Sequence, residues 1–210
     1  MKTKSGLRLG ISLPQNFSNE KIDHAYLREY VLKAESLGFE DGWLTEGILS
    51  PGFNLEPITY IAHLAALTTR LRFGIAVIIL NTRNPVQLAK SLSSVDQLSN
   101  GRLIVGIGIG AGTANYPVFG IPTGRRVARY EESIKVMKAL WTEERATLKG
   151  DFWTLDGARM KPKPFQKPHM PLIFGGHSEP ALRRAVRMGD GWMARVPLVK
   201  TVLGGIKDLM

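Results

Sequence analysis

Leu71-Arg72-Phe73-Gly74-Ile75-Ala76-Val77-Ile78-Ile79-Leu80 is a nearly unbroken apolar run rich in β-branched residues. A strand with one wet face alternates apolar and polar residues, whereas a continuous run belongs to a parallel strand covered on both faces. On its N-terminal side, Ile58, Ile61, Ala65 and Thr68 recur at helical spacing. On its C-terminal side, Pro85 stands near the start of a helix carrying Leu88, Leu92 and Val95. Asn100-Gly101 ends that helix, and Leu103 to Ile109 reads as the next strand. Further upstream, Leu7 to Leu13 is a first strand stopped by Pro14. His24 to Leu37 is a helix with Leu27, Val31, Ala34 and Leu37 on one face, closed by Gly38. Asp41 to Glu46 is a second strand. A strand about every 30 residues, with a helix between, is the rhythm of right-handed βαβ units.

The rhythm then breaks. Arg126 to Trp141 is a helix, and residues 142–171 read as an inserted hairpin and a proline-rich segment. Ala146-Thr147-Leu148 and Phe152-Trp153-Thr154-Leu155 flank Lys149-Gly150-Asp151, while Pro162, Pro164, Pro168 and Pro171 hold the chain extended. Leu172-Ile173-Phe174 is a fifth strand, Pro180 to Met188 a helix, and Gly191-Trp192-Met193 a sixth strand. Val202, Ile206 and Leu209 place the tail in a sixth helix. Residues 1–210 therefore read as one α/β domain. Six βα units suit either a doubly wound sheet or a (β/α)8 TIM barrel, which takes about 250 residues. Apolar residues to the last position favour the barrel, with about six of its eight units present and the C-terminus incomplete.

Composition narrows the function. A hydrophobic content of 44% excludes intrinsic disorder. The absence of cysteine excludes a disulfide scaffold, a thiolate zinc site and a cysteine nucleophile. There is no apolar window long enough to span a membrane and no secretory signal in Met1 to Arg8, so a cytoplasmic location is expected. Most of the net charge of +10 lies in the second half, where residues 125–210 hold 17 basic and 9 acidic side chains. Arg125, Arg126, Arg129, Lys161, Lys163, Lys167, Arg183, Arg184 and Arg187 are scattered, not ranged in a stripe with aromatics between them. That pattern speaks against nucleic acid and for solvated faces plus an anionic small molecule.

Three segments could carry chemistry. Gly106-Ile107-Gly108-Ile109-Gly110-Ala111-Gly112 strips side chains from one strand face, leaving room for a flat ligand or for a neighbouring backbone. Spacing alone does not choose between them, and the stretch is no dinucleotide fingerprint. Gly175-Gly176-His177-Ser178-Glu179-Pro180 follows a strand and opens a helix, with Ser178 as its N-cap. Such a turn either binds phosphate through backbone N–H groups or is an ordinary connection. Glu46 stands at the end of an early strand, where a barrel keeps its active site, or is a capping acid. His24 and His63 fall on helices, His169 in the proline-rich segment, and only His177 on a ligand-facing loop; no pair has metal-ligand spacing.

Trp43-Leu44-Thr45-Glu46, Gly74 to Val77, Asn84 to Lys90, Gln97 to Arg102, the glycine strand, Pro162 to Pro168, Gly175-Gly176 and Gly189 to Trp192 occur in this order. Together they resemble the bacterial luciferase-like family of flavin- or F420-dependent oxidoreductases over nearly the whole chain. The resemblance implies a (β/α)8 barrel holding FMN or coenzyme F420 at the C-terminal ends of its strands. It places Ala76 and Val77 where the family often has a non-prolyl cis peptide under the ring, and Gly108 and Gly110 beside it. Gly175, Gly176, His177 and Ser178 match the phosphate loop, and Glu46 matches an acid near the ring, the candidate catalytic group. Gly47 replaces the histidine of luciferases, and Ala111 the glutamate of sugar-phosphate dehydrogenases, so neither activity is expected. The implied function is oxygenation of a small organic substrate with reduced FMN and O₂, or F420-dependent hydride transfer. A non-catalytic flavin-binding relative is the alternative. The implied partners are a flavin or F420 reductase and, as the family usually dimerises, a second copy of the chain.

Overall fold

The computed structural model describes residues 8–110 and 112–194. The expected tail helix, Leu7 and Ala111 lie outside the described residues.

Each element forms where its local chemistry favours it. Helix α1 (His24–Ser36) starts at Asp23, whose carboxylate accepts the Tyr26 N–H at 2.9 Å. It stops at Gly38, whose φ of +86° suits a residue without Cβ. Helix α2 (Pro57–Leu67) opens on Pro57 beneath Glu56, and α3 (Pro85–Leu98) on Pro85 beneath Asn84. In both, proline occupies the first turn, where no N–H is needed. Helix α3 ends at Asn100 and Gly101, both at positive φ, and α4 spans Arg126–Thr142.

Strands β1 (Gly10–Ser12), β2 (Asp41–Leu44), β3 (Arg72–Ile79), β4 (Leu103–Gly108), β7 (Leu172–Gly175) and β8 (Gly191–Met193) form one parallel sheet. Their spatial order follows the sequence and never reverses. A doubly wound sheet needs a reversal point, so this winding is that of a barrel wall. The apolar run is buried as its composition requires: Phe73, Ile75 and Ile78 are inaccessible, packed with Ile61, Leu64 and Leu92 of α2 and α3. β1 is shorter than expected, and β2 ends before Thr45 and Glu46.

The antiparallel hairpin β5 (Ala146–Lys149) and β6 (Thr154–Ala158) stands apart from the main sheet. Glu132 on α4 holds its turn by accepting the N–H groups of Asp151, Phe152 and Trp153. The proline-rich stretch is pinned to the α3–β4 corner, where Asp96 accepts the Gln166 backbone and side-chain N–H groups.

The glycines of β4 are explained by β3. The β3–β4 register shifts between Ile75 and Ile78, and the peptide between Ala76 and Val77 is cis. A Cβ on Gly106 would collide with the Ile75 carbonyl oxygen. One on Gly108 would lie 2.7 Å from Val77 Cγ2, and one on Gly175 2.9 Å from Val77 Cγ1. On that face, then, the neighbouring strand packs closely against Gly106 and Gly108.

Candidate functional site

The parallel strands point their C-terminal ends at a cavity of about 700 Å³ between β3, β4, β7 and the N-terminal parts of α4 and α5 (Glu179–Met188). That volume lies within the roughly 300–1,000 Å³ usual for small-molecule sites. Ala76, Val77, Gly108 and Gly110 line it from β3 and β4, and Gly175, Gly176, His177 and Ser178 line it from the end of β7 and the loop that follows. Eight of the nine residues singled out in the sequence thus meet around one space.

The loop is shaped for close approach. Gly176 has φ +128°, which L side chains rarely adopt, and a Cβ there would sit 2.9 Å from that of Ala181. Its carbonyl accepts the Trp192 indole N–H at 2.6 Å, which ties the loop to β8. Among the described residues, the backbone N–H groups of Gly176, His177 and Ser178 have no acceptor. Ser178 takes the N-cap position of α5, but its hydroxyl makes no capping hydrogen bond. That corrects the expectation from sequence: only the Ser178 carbonyl engages the helix, accepting the N–H groups of Ala181 and Leu182.

Two cations complete the loop. Arg126 at the start of α4 and Arg184 on α5 line the cavity and are half-buried. Among the described residues neither guanidinium makes an ion pair or a hydrogen bond. Their neighbours differ, since Arg183 is paired with Glu179 and Arg187 with Glu131. Tyr130 backs the cavity edge-on to Phe174. Burial pushes its hydroxyl above the ordinary phenol range, and the Arg184 charge pulls the other way. Among the described residues, N–H donors without acceptors, two arginines without partners and a glycine loop thus line one cavity, an arrangement whose chemistry suits an anion. The sequence disclosed the basic excess but not which arginines would face inward, because that depends on how α4 and α5 pack.

Glu46 is placed elsewhere. Its side chain is 0% exposed. It accepts the Ile79 N–H at 2.6 Å and the Arg83 Nε and Nη2 donors at 2.9 and 2.5 Å. Arg83 in turn reaches Glu56 at 2.9 Å. Glu46 borders a second pocket of about 260 Å³, which meets the larger cavity at Gly110.

The profile of luciferase-like monooxygenases matches residues 7–199. The chain belongs to this family. It is 30% identical over 194 residues to an FMNH(2)-dependent dimethylsulfone monooxygenase of Pseudomonas putida, covering 89% of this chain and 53% of that protein. An uncharacterized protein of Mycobacterium tuberculosis is 36% identical over 140 residues, 66% of this chain and 49% of that one. The crystal structure of monooxygenase RslO1 from Streptomyces bottropensis superimposes with a TM-score of 0.78 at 27% identity, over 90% of this chain and 59% of that chain. The chain spans about half the length of the curated relatives it matches. The luciferase-like family accounts for the parallel sheet wound in sequence order. No helix among the described residues is long and apolar enough to cross a membrane.

Proposed function

We propose that this chain forms the cofactor-binding part of an oxidoreductase that oxygenates a small organic substrate with reduced FMN and O₂, or else transfers hydride to or from it with F420. The observation that carries the reading is the cavity of about 700 Å³ lined by Ala76, Val77, Gly108, Gly110, the Gly175–Ser178 loop and two arginines that have no partner among the described residues. Such a lining fits a ring that bears a phosphate-ended side chain. The Gly175–Ser178 loop, Arg126 and Arg184 would hold the phosphate, and Ala76, Val77, Gly108 and Gly110 would face the ring. The bound cofactor supplies two-electron redox chemistry, with O₂ as co-substrate in the FMN case. The chain's own part is to fix the ring and keep water from it. Glu46 acts at one remove, orienting Ile79 and Arg83 beneath the cavity mouth. A separate flavin or F420 reductase would supply the reduced cofactor, a cytoplasmic arrangement that suits a soluble reductant, and a homodimer is the expected assembly.

Titration of the protein with FMN and with riboflavin, followed by flavin fluorescence, tests this. A hydrogen bond to a charged group contributes about 1.5–3 kcal/mol, and about 1.4 kcal/mol is tenfold in affinity. FMN is expected to bind at least tenfold more tightly than riboflavin. Equal affinities would remove the phosphate from the loop, and failure to bind either FMN or F420 would refute the proposal. Tight FMN binding without oxygen consumption on any substrate would indicate the non-catalytic relative instead.

A further inference from the structure

The guanidinium of Arg126 is only as well placed as the start of α4, and that start lacks the usual support. Arg125 takes the N-cap position at φ +56°, and its side chain caps no N–H. The segment leading from β4 to α4 carries Gly110, Gly112, Gly120 and Gly124, so its sequence does little to stiffen the approach. A side chain from outside the helix makes up for this. Asn81, in the Leu80–Thr82 turn that follows β3, is 0% exposed. Its Nδ2 donates to the Arg126 carbonyl at 3.0 Å and to the Tyr116 hydroxyl at 2.9 Å. Tyr116, itself buried, donates its own hydrogen to the Ile109 carbonyl at 3.3 Å. The Asn81 amide cannot be turned end for end, because the Arg126 carbonyl can meet only a donor. Its Oδ1 is left buried, with no partner among the described residues. A buried polar atom without a partner is a cost that a leucine here would avoid. The two N–H bonds are therefore what the asparagine contributes, and one of them ends on the residue whose charge faces the cavity.

We propose that Asn81 is a positioning residue: it holds the first residue of α4 so that the Arg126 guanidinium meets the cofactor phosphate. Asn81 does not line the cavity, so it acts on a ligand only through its neighbours. The ring side is spared, because Tyr116 bonds the Ile109 carbonyl without help from Asn81. The assignment rests on the cofactor reading above. It goes further in naming a residue outside the cavity that sets the preference for a phosphorylated ligand.

Paired fluorescence titrations with FMN and riboflavin test this on the whole chain as parent, Asn81→Leu, Arg126→Ala and the double variant. Leucine keeps the bulk and removes both donors, while the Arg126 carbonyl keeps its place in the helical ladder and Tyr116 keeps Ile109. Asn81→Leu is expected to lower FMN affinity about tenfold and to leave riboflavin affinity within about twofold of the parent. Residues that act together are not additive, so Arg126→Ala should cost FMN less than about threefold more in the Asn81→Leu background. Arg184→Ala should cost there what it costs in the parent. Should circular dichroism show that Asn81→Leu does not fold, Asn81→Ser, whose hydroxyl is too short to reach Arg126, carries the same expectations. Failure of both variants to fold overturns the proposal, because the amide is then a structural group. Equal weakening of the two flavins overturns it too, as does an undiminished Arg126→Ala loss on top of Asn81→Leu. A parent without preference for FMN over riboflavin defeats the cofactor reading and this inference with it. A parent that prefers FMN, with the preference intact in Asn81→Leu, leaves the cofactor reading standing and sinks this inference alone.

Discussion

Two charged clusters stand at the C-terminal ends of the strands, and they use their charge in opposite ways. Glu46, Arg83 and Glu56 satisfy one another, with Glu46 wholly withdrawn from solvent and Arg83 19% exposed. Arg126 and Arg184 face a cavity and satisfy nothing in the described residues. The first cluster closes the β2–β3 end of the sheet, and the second leaves the β4–β7 end short of anionic partners. A charge consumed within the fold is structural, and a charge left over marks what the fold is built to meet.

The sharpest way to break the comparison is Arg83→Ala. Removing one member of a buried pair leaves the other uncompensated and costs about 3–5 kcal/mol. For a domain of this size each kcal/mol is about 2–4 °C, so the melting temperature should fall by roughly 6–20 °C. The ratio of FMN to riboflavin affinity should not change. A melting temperature within about 2 °C of the parent would show that water reaches Glu46 and that the two clusters do not differ in kind.

The open cluster should respond the other way. Arg126→Ala and Arg184→Ala each remove a donor to the proposed phosphate, a loss of about 1.5–3 kcal/mol, or roughly 10–150-fold in FMN affinity. Riboflavin binding and the melting temperature should hold nearly constant, since neither guanidinium has a partner to lose among the described residues. Thermal melts together with paired titrations of the two flavins would check this. Weakening of both flavins alike would place the arginines on the ring, not the phosphate.

The contrast also marks how far the sequence could be read. Helices and strands were legible because periodicity and punctuation act locally: Gly38, Pro57, Pro85 and Asn100-Gly101 each sit where their backbone preferences place them. The barrel winding was legible from the βα rhythm and the family resemblance together. The glycine strand was legible as a vacancy but not as to its occupant, because Ile75 and Val77 approach it across the sheet. Glu46 could not be assigned from position alone. Whether a strand-end acid stands free or paired depends on whether an arginine 37 residues away folds onto it, and Arg83 does. The Ser178 hydroxyl missed its cap for a similar reason, as side-chain rotation is not written in the N-cap pattern.

Acid should probe the closed cluster more gently. Burial pushes the Glu56 carboxyl up, but the Thr59 N–H and the Arg83 charge outweigh it, and the group ends below its ordinary 4.5. A carboxyl lowered on folding stabilises the fold above its unfolded value and loses that contribution as pH falls through its folded value. Glu56→Gln, at a site 37% exposed, should therefore cost only about 0.2–1 kcal/mol at neutral pH. The difference from the parent should shrink as pH falls through the carboxyl's folded value. Denaturant melts at pH 7 and pH 3.5 measure both ends, and a gap that widens in acid would mean that the folded value is raised instead.

The smallest effect expected is that of Ser178→Ala, and it separates the two ways in which the loop could hold an anion. A serine that caps a helix through its hydroxyl costs about 0.5–2 kcal/mol when replaced by alanine. Here the hydroxyl caps nothing while the N–H groups of Gly176, His177 and Ser178 have no acceptor among the described residues, so stability should change by less than about 0.5 kcal/mol. FMN affinity should fall no more than about threefold, because the backbone donors survive the substitution. Deleting an amide at Gly176 with proline is no substitute for this test, since φ +128° cannot be reached by a residue locked near −65°. If Ser178→Ala lowers FMN affinity more than tenfold with the melt unchanged, the side chain and not the backbone carries the phosphate. If instead the melt alone drops, the hydroxyl caps α5 in solution, and the loop then has less left over for a ligand than Arg126 and Arg184 suggest.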